Sequence, residues 1–532
     1  MAGPSVSVDL SAAMQTVPVQ LADWLVVAPS ILTIVGGMLC LMSRKNIALA
    51  PKLGLFFLGL LVISNLLLLA EVLKRGVITM VMGNWLPPFG IAFTVDALGA
   101  TLALVAAIVA FAAGLYASIT IDNSGRRYGF YPFLLLLMTG VNGAFLTGDV
   151  FNLYVWFEVL LISSYGLLVL GNDRIQLDGT VKYGILNLIG TNLFLIATGL
   201  LYGQLGTLNM ADITMKVQES GVSGPLMTIA VLYFLAFTMK AAAFPVNFWL
   251  PSSYHTPRIV VAAVFAGLLT KVGIYALLRI LVMLMPAARA ELADVIAWVA
   301  ALTMLTGVIG ALAQSDVRRL LGYLVISGIG SMLAGIAMGS VLALSGTVFY
   351  AVHSILVMTA LYMAAGLMAA MAGSYDLRRL GGLYGASPVL AGVFLVLALA
   401  VAGLPPFSGF WPKVMLVDAA LTLGWNWLAA SILVTGFLTS LAVGRVWIYA
   451  FWRGGPEGTV DGGSVSLPGG GVLLAGAGGQ STAAVWVPIG ILTALIVLFG
   501  LQPEWMMEVS SRGASGLIDP VGYLRSVFGG GA

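Results

Sequence analysis

Met239–Lys240–Ala241–Ala242–Ala243–Phe244–Pro245 lies toward the end of an apolar run at 225–248 and sets a charged side chain five residues ahead of a proline. Proline has no N–H to donate and clashes with the carbonyl one turn back, so a helix through this run should break near Lys240. The device recurs in Gly403–Leu404–Pro405–Pro406–Phe407–Ser408–Gly409–Phe410–Trp411–Pro412–Lys413, inside the run 388–423. Pro245, Pro405 and Pro406 are the candidate break residues, and the two lysines stand 173 positions apart. A proline kink alone is common in a membrane helix. Interrupted helices at corresponding places in two halves of one chain point instead to an inverted-repeat transport site.

The surroundings fit a bilayer. Of 532 residues, 60% are hydrophobic and 8% charged, against roughly 25% charged in soluble domains. Fourteen apolar runs reach spanning length, near 21–42, 53–73, 95–118, 128–147, 149–170, 181–204, 225–248, 258–283, 291–313, 320–339, 342–371, 388–423, 426–452 and 483–503. Each exceeds the ~20 residues a spanning helix needs, and in lipid the backbone must satisfy its own hydrogen bonds. The fold expected is all-α and integral to the membrane. Residues 454–482 are rich in glycine and read as a flexible cytoplasmic loop, and 504–532 as an outer tail with an amphipathic helix around Leu517–Phe528.

Basic residues divide unevenly between the two sets of connections. Fourteen, from Arg44 to Arg453, fall on or near the odd-numbered loops, and seven, including Lys74, Arg279 and Arg512, on the other side. The positive-inside rule then places both termini outside the cytoplasm. The N-terminus has no basic residue before Arg44 and does not read as a cleaved signal peptide.

Three basic residues remain, and Lys240, Lys271 and Lys413 all lie within spans, while Glu158 is the one acidic residue well inside a helix. Each such charge costs about 2.5–3.5 kcal/mol at mid-membrane, so four oppose insertion by roughly 10 kcal/mol. Pairing or hydration must offset that, which points to an ion or proton path. The competing readings are a buried pair that sets helix register and a snorkelling lysine. Snorkelling suits Lys271 poorly, because it sits ~20 Å into its span. Glu158 and Lys240 have the chemistry of a proton-loading pair. His353, in the eleventh span, reads equally as a relay or as a buried, hydrogen-bonded structural histidine. His255 reads as a polar loop residue, and Trp249 and Trp411 as packing.

Other chemistries have little to stand on. One cysteine, Cys40, and two histidines exclude a disulfide within the chain and a cysteine- or histidine-rich metal cluster. The glycines near Gly476 lack the Lys–Ser/Thr of a phosphate loop, and no dinucleotide fingerprint occurs. No cofactor, metal or nucleic-acid partner is expected.

The stretch from Asn142 through Thr147–Gly148–Asp149–Val150–Phe151–Asn152 and Phe157–Glu158 to Leu160 resembles the D-type subunits of Mrp-type multisubunit monovalent cation/proton antiporters. So do Phe265–Ala276, the Gly403–Lys413 segment and the ending Leu517–Tyr523. The wider superfamily includes antiporter-like subunits of respiratory complex I and of membrane-bound hydrogenases. The resemblance implies fourteen helices with two inverted five-helix repeats. Residues 1–127 would hold spans one to three, 128–283 the first repeat, 291–453 the second, and 483–532 the last span and tail. It implies Glu158, Lys240, Lys271, His353 and Lys413 as the proton path. Relatives often carry a lysine a few residues after the histidine, where Met358 stands here, and a histidine or glutamine where Gly328 stands.

The reading is a proton-conducting subunit of a Na+ or K+/proton antiporter complex in a bacterial cell membrane, a secondary transporter rather than an enzyme. Its partners would be other membrane subunits, protons, a monovalent cation and the bilayer. One rival is a proton-pumping subunit of a redox complex, and another is a scaffold whose charges only hold helices together.

Overall fold

The computed structural model describes residues 14, 19–221, 223–454 and 483–529. Apart from Gly454, the glycine-rich loop at 454–482 lies outside the described residues. Among the described residues, eleven helices are long and apolar enough to cross a membrane, and three shorter apolar helices complete the series expected from the sequence. They are α1 (Ala28–Met42), α2 (Leu49–Arg75), α3 (Ala97–Thr120), α4 (Phe130–Leu146), α5 (Val150–Leu168), α6 (Arg174–Leu205) and α7 (Gly224–Ala241). After the break come α8 (Trp249–Tyr254), α9 (Ile259–Leu284), α10 (Ala293–Ala313), α11 (Val317–Met338) and α12 (Val341–Ala372). The second broken span is α13 (Pro388–Ala402) and α14 (Phe410–Thr422), followed by α15 (Asn426–Trp452) and α16 (Ala483–Leu501).

Two features fall outside the sequence reading. A short antiparallel hairpin, Ile78–Val81 with Ala92–Val95, joins α2 to α3. The tail forms two helices, α17 (Glu504–Ile518) and α18 (Val521–Phe528), parted at Asp519–Pro520. These fold back onto their own chain: Val509, Leu517 and Tyr523 are buried, and the Ser526 hydroxyl meets Thr79 Oγ1 at 2.8 Å.

An internal duplication is written in the backbone hydrogen bonds. Asp149 and Asn209 form an isolated antiparallel bridge, as do Asp316 and Asp376, each partner displaced by 167 residues. The flanking bonds repeat with the same displacement. Val150 N donates to Leu208 O and Met210 N to Gly148 O, just as Val317 N donates to Tyr375 O and Leu377 N to Ser315 O. Asp149 caps α5 and Asp316 caps α11. The five spans α5, α6, α7–α8, α9 and α10 lie between these two caps, so the copies stand on opposite membrane faces. That is an inverted repeat.

Both breaks share one backbone design. Ala242 (φ +61°) and Gly403 (φ +82°) end α7 and α13 in the left-handed region. Ala243 N donates back to Thr238 O, and Leu404 N to Leu399 O. A Cβ on Gly403 would stand 2.5 Å from Lys413 Cδ, so that side chain would have to shift, and φ +82° itself favours glycine there. Alanine in the left-handed region costs about 1–2 kcal/mol. Ala242→Gly is therefore expected to leave stability within about 1 kcal/mol of the parent, since relieved strain offsets added chain entropy. Gly403→Ala should lower it by at least about 1–2 kcal/mol. Thermal unfolding of the purified complex measures both, and an unchanged midpoint for Gly403→Ala would contradict this account.

Candidate functional site

The break at α7 delivers Lys240 into a fully packed interior, where it is 5% exposed. Its ammonium donates to Thr191 Oγ1 and to Asn187 O at 3.3 Å, both on α6, and lies 5.3 Å from the Phe157 ring centroid. Thr191 Oγ1 in turn donates to Asn187 O at 2.9 Å. Glu158, half-buried on α5, attracts Lys240 through space but makes no direct ion pair with it. The two residues expected to pair thus share a region, with hydroxyl and carbonyl oxygens as the lysine's nearest partners.

Trp249 and Trp411 do more than pack. Trp249 Nε1 donates to Met239 O at 3.1 Å, a carbonyl at the first break that also accepts from Ala242 N at 3.3 Å. Trp411 Nε1 donates to Gly500 O at 2.8 Å and ties the second break to α16. From the other repeat, Thr303 Oγ1 accepts from Phe244 N at 2.9 Å, and Thr306 Oγ1 from Asn247 Nδ2 at 3.0 Å. The first break is therefore held by α10.

Lys271 is 1% exposed, and its ammonium donates to Ala266 O of its own helix at 2.6 Å. Gly273, two residues on, lets α9 abut α7: a Cβ there would stand 3.0 Å from Ala241 N and 3.2 Å from Phe237 O. Lys240 and Lys271 therefore project from touching helices. Thr359 Oγ1 of α12, next to Met358, lies 3.3 Å from Ala263 O of α9.

His353 sits in the second break. Its Nδ1 is 2.8 Å from Ser408 Oγ, its ring lies against Gly409, and its Nε2 is buried without a partner. It feels both Lys413 and Lys271 electrostatically. Lys413 is half-buried and reaches back to Ala402 O at 2.6 Å and Val401 O at 3.3 Å, the free carbonyl end of α13. The negative end of a helix dipole suits an ammonium. The two lysines occupy opposite sides of equivalent breaks, since Lys240 precedes its left-handed residue and Lys413 follows its own. Among the described residues no salt bridge involves Lys240, Lys271 or Lys413.

Sequence reading missed Thr191, Asn187 and Ser408. A signal existed in α6, where Tyr183, Asn187 and Thr191 recur every four residues in an apolar helix and so share a face. Sequence reading also counted Arg279 only as a basic residue near the outer connections, whereas Arg279 is wholly buried against Asp96. His255 is no loose loop residue either: its Nδ1 donates to Pro251 O at 2.8 Å and its Nε2 accepts from Arg319 at 3.0 Å. Burial, and then the Arg319 guanidinium, hold its basicity below the ordinary imidazole value.

Residues 147–439 match the family described as NADH:quinone oxidoreductase/Mrp antiporter, transmembrane. The chain belongs to that family. A relative from Alkalihalophilus pseudofirmus, named as the D-type subunit of a Na(+)/H(+) antiporter, is 38% identical over 506 residues, covering 95% of this chain and 99% of the relative. A chain in a solved Mrp complex from a Dietzia species superposes with TM-score 0.87 at 28% identity, covering 96% of this chain and 100% of that one. A chain of respiratory complex I from Thermus thermophilus shares the fold, with TM-score 0.77 at 24% identity over 93% of this chain and 99% of that one.

Two outcomes follow from the site. Thr191→Val keeps the shape but removes the hydroxyl that holds Lys240, and should destabilise the assembled complex by about 1.5–3 kcal/mol. An unchanged thermal midpoint would argue against that bond. His255 contributes stability in its neutral form, fully present above the ordinary imidazole value of about 6.5 and lost as pH falls below it. From about pH 7 to about pH 5 the thermal midpoint should therefore fall further for the parent than for His255→Gln.

Proposed function

We propose that this chain is the proton-conducting D-type subunit of a multisubunit Na+ or K+/proton antiporter in a bacterial cell membrane. It acts as a secondary transporter with other membrane subunits, not as an enzyme. Both termini face outward, with the arginine-rich ends of α10–α15 toward the cytoplasm. Residues 128–283 and 291–453 serve as two half-channels. Glu158 and Lys240 load the proton in the first, Lys271 is the shared centre, and His353 and Lys413 carry it through the second.

The observation that carries this reading is the row of titratable groups held in apolar surroundings by replaceable oxygen partners. An ammonium bonded to carbonyls and a hydroxyl can lose its proton without leaving a buried carboxylate unpaired, as it would in a tight ion pair. Lys240 feels the charge of Glu158, and His353 that of both Lys271 and Lys413, so arrival of a proton on either of those lysines disfavours one on His353. His353 between Lys271 and Lys413, with one ring nitrogen free, suits the handover.

Exchange should fall by at least about tenfold in Glu158→Gln and in Lys240→Met, while the complex still assembles. Cation-driven proton movement in everted vesicles reads this directly. Near-normal exchange in both variants would remove the assigned roles.

A further inference from the structure

Arg279 is the most deeply buried charge that this proton path does not use. It lies eight residues beyond Lys271 on α9, with Tyr275 midway, so the three side chains form one stripe running from Lys271 toward the face that carries α17 and α18. Along ~12 Å of helix there is no charged group between the lysine and the guanidinium. The helix changes from α to π geometry at Leu278–Leu284, where Arg279 sits.

The contacts at this point are dense. Arg279 Nη1 and Nη2 donate to Asp96 Oδ2 and Oδ1 at 2.8 and 2.5 Å, and Nε donates to Tyr275 Oη at 3.0 Å. Tyr275 Oη donates onward to Phe145 O at 2.9 Å. Asp96 is itself fixed, because it caps α3 by accepting from Gly99 N at 2.9 Å. Tyr523, from the folded-back tail, lies over the guanidinium at 5.6 Å from ring centroid to Cζ. The two charged side chains are 0% and 7% exposed.

This chain of hydrogen bonds ends without an outlet. The guanidinium does not deprotonate in proteins, and the tyrosine hydrogen is committed to a backbone carbonyl that cannot pass a proton on. A fixed arginine is also the kind of barrier that excludes protons from membrane pores. A buried pair adds little stability that well-packed apolar residues could not supply.

We propose that Arg279, Asp96, Tyr275 and Tyr523 form a seal that closes the direct route from Lys271 to the outer face. A proton on Lys271 is thereby obliged to move sideways toward His353 and Lys413. This rests on the reading of Lys271 as a proton carrier. It also gives the tail helices a task, since Tyr523 completes the closure.

The test uses the assembled complex in proteoliposomes without exchangeable cation, following collapse of an imposed pH gradient with an entrapped dye. Arg279→Met should raise passive proton leak about tenfold or more, and adding Lys271→Met should return it to the parental rate. A complex carrying Arg279→Met that is as tight as the parent overturns the seal, and so does a leak that persists when Lys271 is also replaced. If Arg279→Met does not assemble, Tyr523→Leu keeps the ion pair and should still leak; parental tightness there is equally fatal. Cation-driven exchange by Lys271→Met alone distinguishes the two ideas, because normal exchange would sink the carrier role of Lys271 whatever the leak.

Discussion

An ammonium group in the interior of a bilayer must be given oxygen atoms, and this protein finds them in its own backbone. A continuous helix spends its carbonyls on itself, so a lysine beside it has little to bind. Interrupting the helix frees carbonyls at the broken end. Lys413 takes Ala402 O and Val401 O from such an end. Where no break is at hand, the lysine bends back along its own helix, as Lys271 does to Ala266 O. The arrangement stores charge in apolar surroundings without locking it into ion pairs.

The duplicated hydrogen bonds explain why two breaks exist and why they face opposite ways. An odd number of spans between two copies of one motif inverts the second copy, and five separate the caps Asp149 and Asp316. The backbone pattern survives in both copies, but the side chains have diverged. Asp376 stands where Asn209 does, and Lys413 lies on the far side of its break from the position matching Lys240. Symmetry of this kind supplies two sites of similar geometry and unlike chemistry, which suits a path that takes up protons in one half and releases them in the other.

Much of this was legible in the amino-acid sequence. Mean composition and the lengths of apolar runs decided that the chain spans a membrane many times, because lipid leaves the backbone no alternative to helices. The prolines at 245, 405 and 406 and the intramembrane charges at 158, 240, 271 and 413 marked the breaks and the buried charges of the proposed path, because each breaks a local rule and must be compensated.

Which atoms provide that compensation was decided only by tertiary structure. Thr191 beneath Lys240, Ser408 on His353 and Asp96 on Arg279 are joined across 49, 55 and 183 residues respectively. No local pattern encodes such distances, since they depend on how helices rotate and stack against one another. Arg279 was counted with the basic residues near the outer connections, and packing turned it into half of a buried pair with Asp96. Sequence by itself determined the helices, their number and the positions under strain, because those follow from hydrogen-bond satisfaction and burial residue by residue. The partners of the buried charges and the packing of the tail against its own chain emerged only when distant segments met, because they are properties of contact.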